Sequence, residues 1–275
     1  MREAYQPKAY WEERLSSRPL DVAAVGHIRL GLAYNQWLYR GLFRALRRAL
    51  ARMHVPVSGA SVLDVGVGSG AFIPFWRERG VASITGLDIT EASVGALRGR
   101  YPQDQFLQCD ISAELPSGLE GRFDLATAFA VLFHIMDDAG FSRALANLSR
   151  ALRPGGWALL SDCFPPEPAG PFHHEYYRTH DHYAGELKRA GLEAAGLEPV
   201  YFLMAQAVYS RGIPFGFLLR PFTRSVVRLV GRLARHRGTR FLNHIVGATL
   251  YVADGALCRL STRCPSVKIL LAQKG

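Results

Sequence analysis

The chain has 275 residues, a formal net charge of +10, 49% hydrophobic residues and 20% charged residues, which fits one α/β domain with additions and a sizeable core. Cys109, Cys163, Cys258 and Cys264 form no C-x-x-C pair, so a disulfide scaffold is excluded and a reducing cytoplasm is the expected setting. The opening Met1–Tyr5 has no apolar stretch of the secretory kind, and no run of about 18 uninterrupted apolar residues argues for a membrane span.

Residues 5–54 read as helices. Leu38, Leu42, Phe43, Leu46 and Leu50 recur at helical spacing, with Arg40, Arg44, Arg47, Arg48 and Arg52 on the remaining faces. We take 1–55 as a helical N-terminal segment that either covers a ligand, with Tyr10 and Arg14 as contacts, or packs on a sheet edge. Residues 56–275 are then the main domain.

Ser61–Val65 reads as a buried strand that breaks into Gly66-Val67-Gly68-Ser69-Gly70, with a helical pattern from Ala71. Alternating glycines permit a tight turn and close approach of a ligand to the main chain. Gly66, Gly68 and Ala71 also satisfy the dinucleotide pattern G-x-G-x-x-A, with Asp88 where a ribose-binding acid would stand. Asp64 argues the other way. A carboxylate two residues before the first glycine suits a cationic or hydrogen-bond-donating ligand end, such as the ammonium and sulfonium of S-adenosylmethionine (SAM), better than a phosphate.

A second strand, Ser83–Asp88, ends in an acid able to hold ribose hydroxyls. A third, Gln105–Ile111, ends in Asp110-Ile111; Asp110 can accept from an adenine amine while Ile111 and Ile89 cover a ring face. Then come Arg122–Ile135, with Phe129 and His134 in it, and Leu148–Asp162. After that fifth strand stands Phe172-His173-His174-Glu175-Tyr176-Tyr177-Arg178-Thr179-His180-Asp181-His182-Tyr183. Its histidines and tyrosines can wall a substrate pocket, and His173 or His174 is the expected general base. The alternative is local bonding at a loop and helix start. A metal held by His173, His174, His180 and His182 is conceivable, but the spacing is not that of a zinc motif, and none is expected. Cys163 could act as a nucleophile for base methylation, without support from its neighbours.

A sixth strand is expected at Leu197–Ala205 and the last at Ser266–Ala272, with an insert at about 207–262 between them. In Pro221–Arg237, Phe222, Val226, Leu229, Val230 and Leu233 share one helical face, and Arg220, Arg224, Arg228, Arg232 and Arg235 another. Phe241–Leu260 reads as a second, apolar helix. No acidic residue occurs from Val22 to Leu63 or from Pro199 to Ala253. This is either an arginine-rich composition or a surface for anionic partners. The insert is expected to cap the substrate site; contact with a membrane surface is the alternative, and nucleic acid the least favoured.

The ordered set from Asp64 to Asp162 resembles the class I SAM-dependent methyltransferases, and within them the type 11/12-like branch, over residues 60–205; Tyr10-Trp11-Glu12-Glu13-Arg14 is similar to openings in that branch. The resemblance implies a Rossmann-like α/β fold with a seven-stranded sheet whose last strand is antiparallel. It assigns Asp64, Gly66, Gly68 and Gly70 to the methionine end, Asp88 to the ribose, Asp110 and Ile111 to adenine, and Phe129 to the neighbourhood of the methyl group. It also places His134 near the cofactor, as a helix-start residue or a base. Ala130 departs from the acidic or polar residue that many relatives carry there. The N/D-P-P-Y/F motif of amine methylation is absent after the fourth strand. The expected activity is SAM-dependent methylation of a small or amphipathic acceptor, on oxygen in preference to nitrogen, in specialised-metabolite or lipid metabolism. The alternatives are a SAM-binding interaction protein without transfer activity, a lipid methyltransferase at the membrane surface, and, least favoured, a nicotinamide oxidoreductase. The expected location is cytoplasmic or peripheral to a membrane.

Overall fold

The computed structural model describes residues 5–209, 211–213 and 216–275. Residues 1–4 of the expected N-terminal segment, and 210, 214 and 215 of the insert, lie outside the described residues. The N-terminal helices are α1 (Pro7–Ser16), α2 (Val22–Val25) and α3 (Gly31–Arg52). Strands and helices then alternate: β1 (Ser61–Val65), α4 (Ile73–Arg77), β2 (Ser83–Asp88), α5 (Glu91–Arg100), β3 (Gln105–Gln108), β4 (Phe123–Phe129), α6 (Asp138–Ala151) and β5 (Leu152–Asp162). After these come a hairpin of β6 (Ala169–Phe172) and β7 (Glu175–Tyr177), then α7 (His180–Arg189) and β8 (Leu192–Pro199). The insert carries α8 (Gly216–Arg235) and α9 (Arg240–Leu260), and β9 (Lys268–Lys274) closes the sheet.

The seven strands of the main sheet run in the order β3-β2-β1-β4-β5-β9-β8, and only β9 is antiparallel to its neighbours. This is the expected Rossmann-like arrangement, with a helical insert between the sixth and seventh strands of the sheet. Side-chain alternation divides the core. Val62, Leu125, Leu159 and Leu271 face α3, α4 and α5, whereas Leu63, Ala126, Leu160 and Leu270 face α6 and α7. β4 is buried along its whole length, as a central parallel strand covered on both faces must be.

Two expected elements are displaced. The sixth strand ends at Pro199, where pairing with Lys268 stops, and does not extend to Ala205. The N–H groups of Phe202, Leu203 and Met204 instead donate to the buried carboxylate of Asp254, at 2.8–3.1 Å. The last strand correspondingly begins at Lys268 rather than Ser266.

The insert is helical and packs on α3, and among the described residues none of it lines the cavity where a ligand is expected. Trp37 of α3 lies against Gly247 of α9, and Arg44 donates to the Tyr251 carbonyl at 2.7 Å. In α8 the expected apolar face is split: Val230 is buried, while Phe222 and Leu229 are exposed. α9 is long and apolar enough to span a bilayer by length and composition, with 28% of its apolar window buried.

Candidate functional site

The strand order reverses between β1 and β4, and a ligand crevice is expected beyond the carboxyl ends of those strands. A cavity of about 370 Å³ lies there. The Gly66–Ala71 loop, the ends of β2 and β4, the segment after β3, the turn at His134–Asp137 and α1 all contribute to its lining.

The glycine loop follows from its backbone. Gly66 has φ +68°, and a Cβ there would meet Val131 Cγ2 at 2.3 Å; a Cβ at Gly68 (φ +51°) would meet Val25 at 2.8 Å. Both positions therefore exclude side chains. Gly70 is turned the other way, toward Leu97 and Ile73, and does not line the cavity. The loop's own N–H groups are largely engaged: Gly66 and Val67 donate to Leu87 O, Gly68 to Asp88 Oδ2 at 2.9 Å, and Gly70 to Val67 O. A pyrophosphate cradle needs those donors free.

Asp64 is 2% exposed and does not itself line the cavity, but its chain neighbours Val65 and Gly66 do. The parallel register of β1 and β4 puts Thr127 next to it, and Thr127 Oγ1 donates to Asp64 Oδ1 at 2.7 Å. Oδ2 has no partner. Burial, opposed by the Thr127 bond, pushes this carboxyl up to about 7, with Asp88 adding to the rise. An unpartnered buried acceptor next to a loop whose donors are engaged fits a cationic group, as SAM carries, and does not fit a phosphate.

Asp88 lines the cavity from the end of β2. Its Oδ1 accepts from Thr90 N (2.9 Å) and Thr90 Oγ1 (2.7 Å), so both oxygens are oriented by the chain. Burial raises this carboxyl as well, and those bonds oppose the rise. Ile89, Asp110 and Ile111 line the same end, with Asp110 Oδ1 held by the N–H and hydroxyl of Ser112. Phe129 ends β4 and stacks on Phe72 at 4.5 Å between centroids; both line the cavity. Ala130 follows with φ +57°, and its N–H donates to Ser161 Oγ.

α1 crosses the cavity as a strap. Pro7, Trp11 and Leu15, at helical spacing, face inward, and Tyr5 joins them. Tyr10 and Arg14, the expected contacts, lie on the neighbouring stripe and do not line the cavity. Arg14 instead fastens the strap: Nε donates to Ala24 O at 2.7 Å, Nη2 to Gly26 O, and the guanidinium lies 4.6 Å from the Trp11 ring. Glu12 fastens it on the other side by accepting from the N–H groups of Glu91 and Ala92, at the start of α5.

The histidines divide differently from expectation. His173 and His174 occupy the turn of the β6–β7 hairpin, where their Nδ1 atoms lie 2.8 Å apart, and neither lines the cavity. His173 is exposed, and the His174 ring packs between Tyr10 and His134, at 4.9 and 5.2 Å. His134 does line the cavity, from a single 3₁₀ turn (Leu132–His134). Its Nδ1 is 2.8 Å from the carbonyl oxygen of His174. That oxygen can only accept, so Nδ1 carries the proton and Nε2 keeps its lone pair. Burial, with the His174 ring and Arg14 contributing, holds the imidazole down at about 3, hence neutral. His180 and His182 open α7, and among the described residues no three His, Cys, Asp or Glu side chains are grouped to hold a metal. Cys163 is buried, and its thiol is pushed well up by burial and by Asp162, which disfavours a nucleophilic thiolate.

Sequence reading missed Trp11, Tyr39 and the partner Thr127. Helical spacing identifies the stripe of α1 but not which stripe faces a ligand, and Thr127 becomes visible only through the β1–β4 register.

Residues 62–156 match the family model described as a methyltransferase domain. Among curated proteins, the chain is 33% identical over 141 residues to a ubiquinone biosynthesis O-methyltransferase of Albidiferax ferrireducens, covering 47% of this chain and 54% of that protein. The chain thus spans about half the length of such relatives. Among solved structures, it superposes on a magnesium protoporphyrin IX methyltransferase from Synechocystis PCC 6803 with a TM-score of 0.56, 16% identity and full coverage of both chains. It superposes on the [4+2]-cyclase SpnF with a TM-score of 0.53 and 20% identity, covering 83% of this chain and 79% of that one.

Proposed function

We propose that this chain, which has a class I SAM-dependent methyltransferase fold, binds SAM and transfers its methyl group to a small or amphipathic acceptor, with oxygen favoured over nitrogen. The observation that carries the reading is the Asp64 carboxylate, buried and unpartnered at Oδ2, beside a glycine loop whose N–H groups are engaged. Asp64 would hold the ammonium end, Asp88 the ribose, and Asp110 with Ile89 and Ile111 the adenine. Bound SAM supplies an electrophilic methyl group. The chain orients the acceptor against it, excludes water beneath α1, and offers a neutral lone pair at His134 Nε2 for the hydroxyl proton. Phe72, Phe129, Ile135 and Met136 give the acceptor side an apolar wall. The name of the ubiquinone-pathway relatives supports oxygen as the target.

The test is transfer of label from methyl-labelled SAM into an extract of the cells the chain comes from. Products are partitioned into organic solvent, aqueous small molecules and macromolecules. Label in the organic phase is expected; label in RNA or protein would overturn the acceptor class. Ala130, and the cyclase among the fold's neighbours, favour one second reading, a SAM-binding chain without methyl transfer. It requires cofactor binding with no label in any fraction.

Asp64 makes cofactor affinity pH-dependent. With its carboxyl near 7 in the free protein, a cation binding there must displace a proton below that pH. Affinity for S-adenosylhomocysteine should therefore fall by up to about tenfold per unit below about pH 7, level off toward about pH 8, and weaken again only where the ligand's own ammonium loses its proton. The unliganded fold has the opposite dependence. A carboxyl raised on folding contributes stability at low pH that is lost as pH rises from the ordinary carboxylate range through about 7. Calorimetry in buffers of different ionisation enthalpy should find proton release on binding near neutrality, and Asp64→Asn should abolish it. Unchanged proton release in that variant would remove Asp64 from the site.

A further inference from the structure

The insert's outer surface combines two features that helices packed on α3 do not need. The first is charge. From Pro199 to Gly275 the sole acidic residue is Asp254, and it is buried with its carboxylate engaged by three N–H groups. In α8, Arg220, Arg224, Arg228 and Arg232 fall at i, i+4, i+8 and i+12, forming one exposed stripe. Among the described residues the insert's single ion pair is Arg211 with Glu167.

The second feature is exposed apolar side chains in register with that stripe. Leu218, Phe222 and Leu229, at i, i+4 and i+11 of α8, run beside the arginines and are 45–55% exposed. Phe241 (60%), Ile245 (55%) and Val252 (71%) repeat the same spacing on α9. That strip lies opposite Asn243, Gly247, Asp254 and Cys258, which are buried. The surface continues onto the 3₁₀ turn Ile28–Leu30, where Ile28 is exposed, since Gly231 and Ala234 of α8 abut Arg29 and Gly31.

We infer that the outer face of α8 and α9 docks the protein on an anionic phospholipid bilayer, the apolar strips entering the headgroup boundary and the arginine stripe meeting lipid phosphates. Charge complementarity selects this occupant. A phosphate-rich nucleic acid would satisfy the arginines but would leave exposed Leu, Ile and Val in water. A second copy placed symmetrically would bring one arginine stripe against another. α9 lies flat, because Asn243 and Asp254 bind the backbone of the N-terminal segment and of residues 202–204 on its inner side. The docking face is independent of methyl transfer, since no described residue of the insert lines the cavity.

The test is co-sedimentation of the whole chain with vesicles of phosphatidylcholine alone, or with about one-third phosphatidylglycerol. Anionic vesicles should bind at least about tenfold more tightly, and added salt should weaken that binding. Arg224→Glu/Arg228→Glu/Arg232→Glu should lose at least about thirtyfold, and Leu218→Ser/Phe222→Ser should also release the protein. Both variants must keep the S-adenosylhomocysteine-induced rise in Tm, which shows an intact fold and separates failure here from failure of the cofactor reading. Equal affinity for neutral vesicles, or full binding by the charge-reversal variant, would overturn the inference. So would a dimer that masks the face in place of vesicle binding, or single-stranded RNA bound in preference to anionic vesicles.

Discussion

Asp88→Ala should weaken S-adenosylhomocysteine binding by at least about a hundredfold and leave the protein folded. The carboxylate is anchored at both oxygens by Gly68 N, Thr90 N and Thr90 Oγ1, so it presents its remaining lone pairs to the cavity without reorganisation. Charge-assisted bonds to two ribose hydroxyls are worth about 1.5–3 kcal/mol each, and their joint loss corresponds to two orders of magnitude or more in Kd. Part of the loss will come through the loop, because Gly68 loses the acceptor that fixes its N–H. Asp88→Asn separates the two contributions. Its oxygen can still accept from Thr90, but its NH₂ cannot accept from Gly68. Asn should therefore match Ala if the Gly68 bond and loop order dominate, and fall between Ala and the parent chain if the ribose bonds dominate, because its remaining oxygen can still accept from one hydroxyl. Calorimetric titration, with circular dichroism to verify folding, gives the answer. Unchanged affinity in Asp88→Ala would remove the ribose assignment.

The site was legible in the sequence where its chemistry is written into a strand end. Asp64, Asp88, Asp110 and Phe129 each follow an apolar run at the point where a parallel strand must stop, and topology alone carries those ends to one edge. Gly66 and Gly68 were legible because positive φ and the approach of Val131 and Val25 leave no room for a Cβ. What was not legible depends on partners remote in sequence. β8 ends at Pro199 because Asp254, some fifty residues later, takes the N–H groups that would have extended it. The insert packs on α3 through Trp37 against Gly247 and Arg44 to the Tyr251 carbonyl, partners about two hundred residues apart. Tyr10 and Arg14 were displaced by one stripe of a helix, which is a tertiary choice that periodicity does not make.

The same remoteness separates His134 from His173 and His174, and makes turnover the sharper test. His134→Ala should reduce the rate of label transfer into the organic phase by about tenfold. That is less than the roughly 10²–10⁴-fold of a base matched to the working pH, because an imidazole held at about 3 serves as a hydrogen-bond acceptor more than as a proton acceptor. Binding of S-adenosylhomocysteine should stay within about threefold, because the role proposed for the imidazole is toward the acceptor's proton and not toward the cofactor's polar groups. His173→Ala and His174→Ala should keep nearly full rates. His173 lies outside the cavity, and His174 orients His134 through its backbone carbonyl, which the substitution retains. The pH profile provides an independent check. With its imidazole held at about 3, His134 is neutral throughout the working range, so the rate at saturating cofactor should show no acid limb near the ordinary histidine value. The fall in kcat/KM for cofactor below about pH 7 belongs to Asp64 and should disappear in Asp64→Asn. A wild-type rate in His134→Ala would mean that alignment and water exclusion under α1 suffice for transfer. A large loss in His174→Ala with His134→Ala unaffected would place the base on the hairpin.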